Sequence, residues 1–423
     1  MEETAAAPLI TNDAAVLGIL MVILAFVFHT SHSERPFWKR FYTYVPMLLL
    51  CYFLPSLAAT FGLISGDVSH LYFVSSRYLL PASLVLLTLS IDLQGMLRLG
   101  PKAVVMFLTA TAGIVLGGPL AILLFSWIAP DVVGGVGPSA VWRGLTTVAG
   151  SWIGGGANQT AMKVVFRVDD DLFSSMVAVD VLVANVWMAV LLYAAGRSDA
   201  LDRKLRADNS AIEELKHKVA EYQASIARIP KLADTMTILG IGFGATAAAH
   251  LAGAPLARWL GEVWPAAERL SLTSPFFWIV VFATTAGLIL SFTPLRRLEG
   301  AGASRLGSAL LYVLIASIGM NMNLMAVLEN PGLFLVGLVW ISIHAGLLIL
   351  VAVLIRAPVF FLAVGSQANV GGAASAPVVA SAFHPALAPV GVLLAVFGYA
   401  LGTYAAWFCG QLMRLTVQAT VGG

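Results

Sequence analysis

The sequence predicts an all-α polytopic membrane protein of two inverted repeats, each with about five to six membrane segments and one discontinuous helix, broken or re-entrant. Three observations predict it. Hydrophobic residues fill 59% of the 423 positions and charged residues 11%, with a mean hydropathy of +0.89; soluble domains carry about 25% charged residues. A single strongly polar stretch, near 196–233, divides the apolar sequence in two. Two glycine-rich polar stretches interrupt membrane-length segments at corresponding places in the two halves.

Spanning a bilayer takes about 20 mostly apolar residues. In the first half such segments run near 13–30, 41–64, 71–92, 103–128, 140–166 and 172–195. In the second they run near 236–252, 275–293, 306–328, 333–355, 358–382 and 387–411. Met1-Glu2-Glu3 lacks the basic start of a cleavable signal peptide, so the first segment is expected to remain as a span. Residues 1–195 form the first repeat, 196–233 a charged helical linker and 234–423 the second repeat. Cys51 and Cys409 lie in apolar runs, without the spacing of a disulfide framework or metal site.

The linker holds eight of the 24 Lys and Arg residues and is expected in the cytoplasm. Ser210-Ala211-Ile212-Glu213 has the capping-box pattern, and Ile212, Leu215, Val219, Tyr222, Ile226 and Ile229 follow at helical spacing. This stripe suits a helix against the protein's own loops or a short coiled coil between two copies, which leaves a homodimer open.

A weak internal match supports a repeat. Ile91 to Pro101 can be laid on Met322 to Pro331 with one gap, both at the end of a third segment. Basic loops follow odd segments in the first half (Arg35, Lys39, Arg40, Arg98, Lys102) and even segments in the second (Arg296, Arg297, Arg305, Arg356). The positive-inside rule reads this as opposite orientation of the halves. Inversion needs an odd number of crossings per half, whereas six segments are counted. Segments five and eleven restore parity if they re-enter; broken helices that cross, with a miscounted segment elsewhere, do so too.

Those two segments carry the glycine stretches, Gly150 to Thr160 and Gly365 to Pro377. Side-chain amides and loosened backbone are costly in lipid unless they line a cavity. A matched pair in two halves is a pointer to a transporter's binding site. Candidate solute ligands are Ser151, Gly154, Gly155, Gly156, Asn158, Gln159 and Thr160 in the first stretch, and Ser366, Gln367, Asn369, Gly371, Gly372 and Ser375 in the second. Half-helix N-termini favour anions, and unwound carbonyls favour cations. Close helix packing through small residues is the competing reading, but it needs no amides.

Asp180 lies mid-segment, with no basic residue within twelve positions on either side. An intramembrane carboxylate costs about 2.5–3.5 kcal/mol on insertion scales and is a functional hypothesis by default. It is read as a coupling-ion ligand for Na⁺ or H⁺, with Asn185, Asn158 and Asn369 as partners; a structural bond to segment five is the alternative. His344 is read as an interhelical donor rather than a proton carrier.

The run Gly150 to Lys163, Asp180-Val181 with Trp187-Met188, and Ser366 to Pro377 resemble the YjcL-like family of bacterial and plastid membrane proteins, of unknown function. Gly300 to Ser304 and Gly398 to Tyr404 look like further signatures of it. More distantly, the layout is similar to the superfamily of cation/proton antiporters and bile-acid:sodium symporters. That resemblance implies two discontinuous helices crossing at the midplane, in a core that moves against a panel, with Asp180 beside them. Asn323 stands where the repeat would match Asp92, so that pair cannot both exchange protons.

The expected function is secondary active transport of a small solute, an organic anion by the half-helix argument, coupled to Na⁺ or H⁺ by an elevator or rocking-bundle movement. A Na⁺/H⁺ antiporter is the near alternative. A channel or an intramembrane enzyme is the alternative of another class: Ser151 and Lys163 suggest a dyad, but they lie twelve residues apart across a helix break. No cofactor beyond a possible Na⁺, and no nucleic-acid partner, is expected. The plasma membrane and its lipids are the expected setting.

Overall fold

The computed structural model describes residues 8–45, 47–66, 68–91, 100–207, 229–270, 272–321, 330–384 and 387–420, and all regular structure among them is helical. The first half contains α1 (Asp13–Ser31), α2 (Pro36–Tyr44), α3 (Met47–Thr60), α4 (Leu71–Leu89), α5 (Pro101–Ile128), α6 (Val141–Val165) and α7 (Asp170–Ala195). A short α8 (Ser198–Leu205) opens the linker. The second half contains α9 (Leu232–Val263), α10 (Pro275–Ser291), α11 (Ala303–Gly319), α12 (Gly332–Ile355), α13 (Val359–Val370), α14 (Gly372–Phe383) and α15 (Ala388–Thr420). Among the described residues, seven helices are long and apolar enough to cross a membrane alone. The expected stripe 212–229, apart from Ile229, and most of the paired stretches after segments three and nine lie outside the described residues.

Among the described residues each segment expected from hydropathy contains a helix, with differences of extent; that of segment nine ends at Gly319. Segment two begins later, at Met47, because α2 precedes it as a separate helix. Segment seven runs eleven residues past its expected end, through Gly253 and Pro255, to Val263. Membrane helices tolerate such breakers because neighbours re-satisfy the freed backbone groups. The same repair is visible in α4: Pro81 has no N–H for the Arg77 carbonyl, and His250 Nε2 on α9 donates to it at 2.8 Å.

The helices sort into two bundles. In one, α4 is central against α9, α10 and α11, while α1 and α3 pack on α11. Close approach explains the glycines here: a Cβ on Gly319 would sit 2.4 Å from the Tyr52 carbonyl oxygen of α3. In the other bundle α15 lies along α6, α12 along α5, and α7 and α13 fill between them. The bundles meet where α6 and α15 touch α4 and α10.

Neither glycine-bearing segment crosses the bundle. Arg143 near the start of α6 donates Nη1 to the Phe166 carbonyl at its end, at 2.5 Å, and the Trp142 and Phe166 rings are 5.8 Å apart. A straight helix of that length would separate them by about 35 Å. Phe360 and Phe383 likewise sit 5.3 Å apart at the two ends of α13–α14. Both segments are therefore hairpins, correcting the crossing arrangement implied by the distant superfamily. The physical reason lies in the break: Gly155 (φ 72) and Gly372 (φ 59) adopt left-handed conformations that glycine alone visits routinely, and the chain reverses there.

The hairpins enter from opposite ends of α15. Gly410, toward its C-terminus, packs on Phe166 and Thr146 at the base of the first; Gly391, near its N-terminus, packs on Ala376 and Pro377 of the second. The tips meet between, where a Cβ on Gly398 would lie 2.7 Å from the Ile153 oxygen and 3.6 Å from the Ala368 oxygen. The base of the second hairpin is tied to the linker: Asp202 on α8, buried, accepts the Val359 N–H at 2.8 Å.

Candidate functional site

The two breaks are in structural register, although the sequences suggest a different alignment. The left-handed glycine falls five residues after Gly150 and seven after Gly365. Ser151 and Ser366, each following the first glycine of its stretch, therefore occupy different places. Gly155, Gly156, Gly371 and Ser375 are half-exposed at the tips, while Ser151, Asn158, Gln159, Thr160, Ser366, Gln367 and Asn369 are buried.

The two asparagines bind their own hairpins to neighbouring helices. Asn158 Nδ2 donates to the Gly154 carbonyl and to the Tyr399 carbonyl of α15, each at 2.9 Å, and its Oδ1 accepts from Thr403 at 2.7 Å. Thr284 of α10 continues the chain, 3.0 Å from Thr403. Asn369 Nδ2 donates to the carbonyls of Gly365 (3.0 Å) and Phe107 (3.3 Å), and its Oδ1 accepts from Thr111 at 2.8 Å. In the first hairpin the amide thus supplies a partner to the backbone at the break itself, the Gly154 carbonyl; in the second it ties a regular helix to α5.

Ser366 belongs to a buried chain across four helices. His344 Nδ1 lies 3.0 Å from the Ala110 carbonyl, which only accepts, so Nδ1 carries the proton and Nε2 accepts from Ser366 at 2.8 Å. Trp187 Nε1 donates to the same hydroxyl at 2.8 Å. This network makes His344 the interhelical donor expected of it.

Asp180 is 3% exposed on α7, and its Oδ2 accepts from Gln159 Nε2 at 2.9 Å. The carboxylate is thus joined to the first hairpin just past its break. Ser151 and Trp152 are its other polar neighbours, and Tyr52 of α3 brings its hydroxyl into the same region, beside Thr160. Four buried polar atoms here have no hydrogen-bond partner: Gln159 Oε1, Trp152 Nε1, Tyr52 Oη and, beside the second break, Gln367 Oε1. Gln367 Nε2 meanwhile spans that break to Ser375 Oγ at 2.7 Å. Buried unpaired polar atoms cost about 1–3 kcal/mol each, and these four lie near the two hairpin tips.

Other expected residues fall away from this centre. Asn185 donates to its own Val181 carbonyl at 2.6 Å; five residues turn a helix by about 140° beyond a full turn, away from Asp180. Thr160, beside the Tyr52 hydroxyl, stays within the centre and donates to the Gly156 carbonyl at 2.9 Å. Lys163 ion-pairs with Asp170 toward the hairpin base and stacks on Tyr72 and Phe173, with 5.0 and 4.8 Å to their ring centres. Sequence reasoning missed Tyr52, Trp152, Thr111 and Thr284, which look like ordinary membrane-helix residues until the fold assembles them.

The chain is similar to the uncharacterized membrane protein YjcL of Bacillus subtilis (strain 168), with 25% identity over 351 residues, covering 81% of this chain and 84% of that protein. A family model described as a protein of unknown function, DUF819, matches residues 18–416. With nearly its whole length matched, the chain belongs to the DUF819 family of membrane proteins.

Proposed function

We propose that this protein is a secondary active transporter of a small organic anion, coupled to Na⁺ or H⁺. The observation that carries this reading is the meeting of two hairpin tips beside the Gln159–Asp180 pair, with unpaired polar atoms on both hairpins. The second limbs begin at Gly156 and Gly372, and their N-termini favour negative charge. In this reading Asp180 and Gln159 hold the coupling ion, while Gln367, Ser375, Trp152 and Tyr52 contact solute. Asn158 and Asn369, whose amides are already engaged, hold the hairpins in shape.

An inverted repeat is part of the proposal. Helix pairs correspond when each first-half segment is exchanged for its counterpart: α1 with α3 matches α9 with α10, and α3 with α11 matches α10 with α4. With the hairpins set apart, and with the shorter α3, α10 and α11 counted as spans beside the seven long helices, each half would have five crossings, the odd number inversion needs. Lys102 Nζ donates to the Arg356 carbonyl at 3.1 Å, placing two of the basic loops together at the linker's end of the protein. We assign that end to the cytoplasm, with the protein in the plasma membrane. The bundle carrying both hairpins moves, and the α4-centred bundle is the frame.

Purified protein in proteoliposomes tests the reading. Uptake of labelled carboxylates from a panel, driven by an inward Na⁺ or H⁺ gradient and lost in Asp180→Asn, is expected. The buried carboxylate also suits a Na⁺/H⁺ antiporter. Exchange of those ions without any solute, abolished by the same substitution, would replace the solute reading.

A further inference from the structure

The base of the first hairpin gathers positive charge. Arg143 stacks on Trp142, 5.0 Å from the ring centre, and donates Nη1 to the Phe166 carbonyl. The charged groups bearing on its guanidinium are Arg167, just beyond α6, and Arg414 on α15, both cationic. Arg143 Nε is buried without a hydrogen-bond partner. Arg167 is exposed and held at φ 52, a conformation costly for a side-chain-bearing residue. Gly410, one turn before Arg414, admits the Phe166 ring to 2.5 Å of where a Cβ would stand, which brings α15 and its arginine onto the hairpin base.

An apolar rim adjoins this cluster. Thr420 at the end of α15 donates to Ser126 at 3.2 Å, joining it to the end of α5, where Trp127 and Ile128 are 74% and 66% exposed; Leu415 beside Arg414 is 53% exposed. Guanidinium groups match phosphate oxygens with paired donors. Like charges held together are relieved by an anion between them.

We propose that Arg143, Arg167 and Arg414 form a phosphate-binding site at the membrane surface, separate from the transport site. The phosphate of an anionic phospholipid fits it best, with acyl chains on the apolar rim and the headgroup among the arginines. A free phosphate shares the chemistry.

Full-length protein in nanodiscs decides. Phosphatidylglycerol added to phosphatidylcholine discs is expected to raise the unfolding midpoint by several degrees, as ligand binding to the folded state requires. The gain disappears in Arg167→Gln/Arg414→Gln and shrinks in Arg167→Gln alone. An equal gain from inorganic phosphate in phosphatidylcholine discs makes the free anion the ligand in place of the lipid. No gain from either, or a gain that survives in the double variant, overturns the site.

Discussion

Gln159 donates one amide hydrogen to Asp180 at 2.9 Å and leaves its own carbonyl oxygen buried and unpaired. An acceptor without a donor, beside a carboxylate, is chemistry that a cation or an added proton can satisfy. Asp180→Asn keeps the shape and removes the charge. The expected result is loss of Na⁺- or pH-dependent thermal stabilisation, with ion affinity reduced roughly 10- to 100-fold, the size of a charge-assisted bond of about 1.5–3 kcal/mol. Thermal shift against Na⁺, Li⁺, K⁺ and pH reads it; unchanged ion dependence would remove Asp180 from the coupling site.

The left-handed glycines give a prediction about folding. Gly155→Ala and Gly372→Ala each force a Cβ into a positive-φ conformation, costing roughly 1–2 kcal/mol. Gly154→Ala should cost more, since a Cβ there would stand 2.8 Å from both the Gly398 oxygen and the Gly402 Cα. The order of melting midpoints, with Gly154→Ala lowest, checks the hairpin geometry directly.

Asn158 and Asn369 should behave as a structural pair. Alanine at either leaves a threonine hydroxyl and backbone carbonyls without their partners, for a loss of roughly 1–3 kcal/mol. The Asn158→Ala change reaches Thr403 and Thr284, and so loosens the contact between bundles; Asn369→Ala acts within one bundle. Faster protease cleavage in both, together with solute affinity that follows stability, is expected. A large loss of affinity at wild-type stability would make them ligands instead.

The chain Trp187–Ser366–His344 predicts non-additive effects. Ser366→Ala strands both the indole N–H and His344 Nε2, whereas Trp187→Phe removes one donor. The double variant should therefore lose less than the sum of the singles, by roughly 0.5–3 kcal/mol in a double-mutant cycle. Simple additivity would mean that the hydroxyl does not connect the two rings.

Much of this architecture is legible in the sequence because hydropathy and glycine act locally. Segment positions, the two breaks and the isolated Asp180 follow from composition alone. The sense of the turn does not: glycine marks where a helix can break, while contacts such as Arg143 to the Phe166 carbonyl decide that it doubles back. The Gly-Ser pair that opens both stretches does not mark equivalent places either. Register is set by the left-handed residue, and the shared Gly-Ser pair stands at different distances from it. The place of Tyr52 and Trp152 near Asp180 was out of reach because it depends on helices distant in sequence coming together.

The hold of Asp202 on Val359 has a consequence for how the molecule can be divided. The polar stretch between the halves looks like a seam, yet its first helix supplies a cap to the far half. A polypeptide cut within 208–228 and produced as two fragments keeps that cap on the first piece, so reassembly can restore it. A cut before Ser198 hands α8 to the second fragment and severs its covalent tie to α7. The first helix of the linker thus belongs by covalent link to the first half and by its hydrogen bond to the second.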